Sequence, residues 1–139
     1  MQKSAMVFAG ISGALAVILG ALNAHYFRDK IASGILTADN VAAIETAVHF
    51  QLFHTLAIMG VIALGERLLS FSKIILYSFM VGTICFSGSI YLLATDKMTG
   101  LEGIEKIIGP ITPLGGLFLI IGWCCLFISA LKYKPVSKQ

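Results

Sequence analysis

The chain has 139 residues, of which 58% are hydrophobic and only 12% charged, with a mean hydropathy of +0.91. A soluble domain carries about 25% charged residues to keep its surface wet, so this composition excludes one and describes a membrane protein of single-domain size. The net charge of +3 is too small and too dispersed to argue for nucleic acid as a partner.

Four apolar stretches are long enough to cross a hydrocarbon core of ~30 Å, which takes roughly 20 helical residues. In chain order they run from Ala5 to Ala24, Ala47 to Gly65, Ile74 to Ala94 and Pro113 to Leu131. Continuous apolar runs without strict alternation exclude a β-barrel. The expected fold is therefore all-α, an antiparallel integral membrane four-helix bundle forming a single domain over 1–139. Lys3 before an apolar run resembles a secretory signal, but the run exceeds the 7–15 residues of a typical signal core. The first helix is expected to be retained.

The connections differ in kind. Glu66 to Lys73 is short, so the second and third helices should be antiparallel neighbours. The longer stretch from His25 to Ile44 has the first helix leaving the membrane and ending near Gly34, with Thr37, Asp39 and Asn40 as candidate caps for the second. Between the third and fourth helices an amphipathic turn is expected around Glu102 to Ile108. Thr112 followed by Pro113 looks like a helix start, a hydroxyl cap with proline at the first helical position.

An even number of spans puts both termini on one side. That side holds Lys3, Arg67, Lys73, Lys132, Lys134 and Lys138, against Arg28, Lys30, Lys97 and Lys106 on the other. The excess of basic residues places both termini in the cytoplasm and the chain in the cytoplasmic (inner) membrane. The opposite, outer side carries Asp29, Asp39, Glu45, Asp96, Glu102 and Glu105.

Inside lipid, close approach and polar contacts hold helices together. The first helix has Ser12, Ala16, Gly20 and Ala24 at four-residue spacing. The third has Ser78 and Gly82, then Gly88 between two serines, and the fourth has Gly115, Gly116 and Gly122. The second helix instead carries polar residues. At about 100° per residue, Ala47, Gln51, His54, Ile58, Val61 and Gly65 share one side of it, while Glu45 and His49 share another. Asn23, His25, Glu45, His49, Gln51, His54, Ser87, Ser89, Tyr91 and Thr112 all fall in the outer half of the bundle, and the inner half is expected to be almost purely apolar. This outer cluster is the candidate ligand pocket or interhelical network.

The segments "GALNAH" (20–25), "FQLFHTLAI" (50–58), "FSGSIYLLA" (86–94) and "ITPLGGLFLIIGW" (111–123) occur in that order. They resemble the four signature segments of the domain-of-unknown-function 423 family of small membrane proteins, related to the animal transmembrane-protein-256 type. That resemblance implies four membrane helices and no particular activity. Asn23 stands where the family usually has Gly, and His49 where Tyr is expected shortly before the Gln. His25, Gln51 and His54 match the family pattern.

The bland account of the cluster is that Gln51 and His54 hydrogen-bond to Ser87, Ser89 or the backbone of the third helix. Haem or a metal on His25, His49 and His54 is the sharper alternative, since imidazoles on facing helices hold such cofactors. No paired His exists on the third or fourth helix, so no cofactor is expected. Glu45 and His49 at four-residue spacing suit an ion pair, and an apolar inner half argues against a proton relay across the membrane. Cys85, Cys124 and Cys125 lack metal-ligand spacing and are expected to be packing residues. No Ser–His–Asp set, phosphate loop or carboxylate pair is present. Three function classes follow, in order of preference. The first is an accessory subunit docking on a larger membrane assembly, with membrane lipids, other membrane proteins or a second copy as partners. The second is a module binding a lipid, quinone or small ligand, and the third is a membrane enzyme or transporter.

Overall fold

The structure, a computed structural model, describes residues 1–65, 71–101 and 103–132. Glu66, Arg67, Glu102, Lys134 and Lys138, which enter the charge balance and the connections, lie outside the described residues. Four helices are long and apolar enough to cross a membrane. They alternate in direction, so the two termini share one end of the molecule, and the connections 33–37 and 95–110 share the other, called here the connection end.

The first helix runs Gln2–Ala32, about 46 Å at 1.5 Å per residue. It stops before Gly34, whose φ of 71° suits the turn that follows. Within it, Asn23–Phe27 forms a π-helical turn, the kind of local widening that often marks functional segments. The second helix, Ala38–Leu64, begins on a capping box. Thr37 Oγ1 accepts from the Asn40 amide at 3.1 Å, and Asn40 Oδ1 accepts from the Thr37 amide at 2.9 Å. The third helix is Ser72–Ala94, and short turns at Asp96–Thr99 and Glu105–Ile108 lead to the fourth, Ile111–Leu131.

The fourth helix corrects one expectation. It starts at Ile111, before the Thr112–Pro113 pair, with no side-chain cap. The Thr112 hydroxyl bonds Ser89 on the third helix instead, at 2.7 Å. A partner across the helix pair has taken the oxygen that a cap would use.

Packing follows chain order. The first helix lies on the second, the second on the third and the third on the fourth, with only a marginal first-to-third contact. The middle helices are the more enclosed, 39% and 44% buried over their most apolar windows against 22% for the outer two. The face of the second helix bearing Ala47, Gln51, His54, Ile58 and Val61 is buried. Glu45 and His49, on another side, are exposed.

The tightest seam joins the third and fourth helices. A methyl on Gly115 would strike the backbone of Cys85 and Phe86. One on Gly82 would strike Leu119, and one on Gly122 would enter the Phe79 ring. A methyl on Gly116 would make ordinary contact with the Phe86 ring at 3.7 Å, and Ser78 is buried. In the first helix Ser12 and Ala16 are buried, and a methyl on Gly20 would lie 3.5 Å from Val48. Ala24, expected to continue that stripe, is exposed, and Asn23 and Phe27 face inward. Four-residue steps drift by about 40° each, so three of them carry Ala24 off the buried face. Gly88 also departs from expectation: among the described residues nothing lies within 4 Å of a methyl placed there.

Candidate functional site

The polar residues of the second helix tie the bundle together. Gln51, buried, donates from Nε2 to the Ser12 carbonyl at 2.8 Å and accepts from the Tyr91 hydroxyl at 2.7 Å. One amide thereby bridges the first, second and third helices. One turn along, Ser12 and Thr55 share a hydroxyl bond of 2.8 Å, and Ser87 donates to the Ala47 carbonyl at 2.9 Å. Such bonds are expected wherever lipid offers a polar group no water.

His54 is held differently. The Trp123 indole N–H donates to its Nε2 at 3.1 Å, and its Nδ1 lies 2.8 Å from the Phe50 carbonyl. An indole nitrogen only donates, so Nε2 carries a lone pair, and the proton on Nδ1 goes to the carbonyl. Both ring nitrogens are thus occupied and the imidazole is neutral. Phe79 and Trp123 meet the ring edge-on, with centroids at 5.4 and 6.0 Å, and Phe50 stacks at 5.9 Å.

The sequence expectation is corrected here in detail. His54 turns to the fourth helix and its own Phe50 carbonyl, away from Ser87 and Ser89. Gln51 takes Tyr91 and the first helix. Ser89 bonds Thr112 and the Phe86 carbonyl. His25 and His49 are exposed. Among the described residues no group of three His, Cys, Asp or Glu is placed to hold a metal ion, so the three histidines are not brought together. Nor is the terminal half purely apolar: Thr55, Ser78, Thr83 and Ser129 are buried there. Ser78 is one of the small packing residues of the sequence reading, whereas Trp123 and the hydroxyls of Thr55, Thr83 and Ser129 are not among its candidate residues. A lone tryptophan within a span, whose N–H needs a partner, was the available signal.

Two recesses border the polar residues of the first three helices. A groove of about 270 Å³ runs between the first and third helices, walled by Phe8, Ile11, Leu15 and Ile84, with Gln51 and Gly88 also lining it. A smaller cleft of about 170 Å³ lies between the first and second helices near the connection end and is lined by Asn23, Arg28, Glu45 and His49. Asn23 Nδ2 donates to the Val41 carbonyl at 3.1 Å, while its Oδ1 is buried without a partner.

The chain is similar to a UPF0382 membrane protein of Haemophilus influenzae, 33% identical over 98% of this chain and all of that protein. It is 34% identical to the UPF0382 inner membrane protein YgdD of Escherichia coli, over 96% of this chain and 95% of that one. The UPF0382 membrane protein YwdK of Bacillus subtilis is 31% identical, over 95% and 99%. No solved structure matches. Residues 19–116, which include Gln51 and Tyr91, match the family described as proteins of unknown function, DUF423. With four membrane helices and relatives along its whole length, the chain belongs to the DUF423 family of membrane proteins.

Proposed function

We propose that this protein is an accessory membrane protein that docks sideways on a larger membrane assembly, seating a partner helix in the groove between its first and third helices. One observation supports this above the others: Gly88 lines that groove, and a methyl placed on it would meet nothing within 4 Å among the described residues. A small residue on an open helix face lets a second backbone come close, which is how helices associate in lipid. The chain's other small residues at Gly82, Gly115 and Gly122 are used for such contacts internally. Both termini are assigned to the cytoplasm of the inner membrane. The basic residues of the terminal end support that side, and the name of the Escherichia coli relative supports the membrane.

A second reading has the same groove take the apolar tail of a lipid or quinone. It is favoured by the apolar walls of the groove at Phe8, Ile11, Leu15 and Ile84.

The test is native mass spectrometry of protein extracted gently from its host membrane, wild type beside Gly88→Trp. The site is open, so the variant is expected to fold, checked by its melting temperature. A larger protein that co-migrates with wild type and is lost from the variant supports docking. A small added mass lost from the variant supports the tail-binding reading. Identical bound masses in both proteins overturn both.

A further inference from the structure

The cleft near the connection end differs in chemistry from the groove. It sits where the first two helices leave the hydrocarbon: Arg28 lies past the roughly 20 residues that cross the core, and Glu45 lies two turns into a second helix that begins at Ala38. One wall carries Gly20, Asn23, Ala24 and Arg28, and the other carries Glu45, Val48 and His49. The small residues at 20 and 24 leave the space. The π turn that begins at Asn23 buries Asn23 and Phe27 and leaves Ala24 and Arg28 exposed. A volume of about 170 Å³ holds five or six waters at ~30 Å³ each, the scale of a small polar head group.

Three features define what fits. Arg28 supplies a planar cation with donors suited to phosphate oxygens, and the His49 imidazole offers a further donor. Glu45 supplies an anion on the opposite wall. Asn23 is 6% exposed, and its Oδ1 is an acceptor left without a donor. That oxygen has almost no accessible surface, so Asn23 only walls the cleft, and the charges that face a ligand are those of Arg28 and Glu45. A simple anion would satisfy Arg28 and be repelled by Glu45. A simple cation would meet the reverse.

We propose that the cleft formed by Asn23, Arg28, Glu45 and His49 binds a primary-ammonium phosphate zwitterion, the head-group chemistry of an ethanolamine phospholipid. The phosphate lies toward Arg28 and His49, and the ammonium donates to Glu45. A quaternary ammonium has no N–H for Glu45, and a glycerol head group has no positive charge for it. This site is separate from the Gly88 groove and stands or falls independently of it.

The experiment is native mass spectrometry of the purified full-length protein, exchanged in turn with palmitoyl-oleoyl phosphatidylethanolamine, phosphatidylcholine and phosphatidylglycerol. Wild type is expected to retain the ethanolamine lipid about fivefold over the other two, the factor that one net hydrogen bond supplies. Glu45→Gln should remove the preference over phosphatidylglycerol. Arg28→Gln should weaken retention of both lipids, and Arg28→Lys should restore part of it. Competition by free O-phosphoethanolamine would give the site a soluble zwitterion, and retention despite it would give it the lipid. Equal retention of all three lipids with no competition overturns the proposal. So does a preference indifferent to both substitutions, or a change in melting temperature alone, which would mean that Arg28 and Glu45 serve each other.

Discussion

The Trp123 indole N–H donates to His54 Nε2 at 3.1 Å across 69 positions of sequence, joining the second and fourth helices over the edge of Phe79. The Phe79 and Trp123 ring centroids are 5.2 Å apart, and Phe79 has its place because Gly122 carries no side chain. Helices that are otherwise kept apart by the third are thereby tied near mid-membrane. Trp123→Phe keeps the ring and removes the donor. It is expected to cost about 0.6 kcal/mol, and at most about 1.7, the range found for such bonds in membranes. His54→Ala should also leave the fold intact. Melting of both variants and of the double variant in detergent tests this: additive losses would mean the bond contributes nothing.

Gly115 and Gly20 separate two kinds of small residue. A methyl on Gly115 would strike the backbone of Phe86, while one on Gly20 would make ordinary contact with a Val48 methyl. Gly115→Ala must therefore push two helices apart, with an expected loss of about 1–3 kcal/mol. Gly20→Ala should stay within about 0.5 kcal/mol. Thermal unfolding of the two variants side by side decides it, and equal stabilities would refute the seam between the third and fourth helices.

Gln51 bridges three helices, so its loss should exceed that of any one partner. Gln51→Leu frees the Tyr91 hydroxyl and the Ser12 carbonyl together and is expected to cost about 1–2 kcal/mol. Tyr91→Phe should cost about 0.6 kcal/mol. In the double variant the tyrosine change should add almost nothing, because its acceptor is already gone. A fully additive pair would place the Tyr91 hydroxyl elsewhere.

The capping box offers a check outside the bilayer. Thr37→Ala removes the oxygen that accepts from the Asn40 amide, with an expected cost of about 1 kcal/mol. Hydrogen exchange should report it first, with faster exchange in the opening turn from Ala38 to Val41 and little change at Ile58. Unchanged exchange in that turn would argue that packing alone starts the helix.

Much of this architecture was legible without coordinates. Four spans, their alternation and the buried side of the second helix follow from apolar run length and the 3.6-residue period, both properties of a helix considered alone. Thr37 was among the candidate caps because a cap is made within four residues. The sequence argument faltered wherever the answer depended on a neighbour. Ala24 was placed on the packed stripe, but the stripe drifts off it. Thr112 was placed as a cap, yet Ser89 holds its hydroxyl.

What the sequence by itself determined is a membrane protein of four antiparallel helices, with a polar-bearing second helix turned into the bundle. Periodicity names the face a residue lies on but not what stands opposite. Only the tertiary structure decided that a methyl on Gly115 would meet a backbone while one on Gly88 would meet nothing within 4 Å among the described residues. It alone gave Gln51 to Ser12 and Tyr91, gave His54 to Trp123, and set Arg28 across a cleft from Glu45. Each of those outcomes depends on residues far apart in the sequence, or on a space between two helices. Such relationships are set by how the helices cross, which no single stretch of chain encodes.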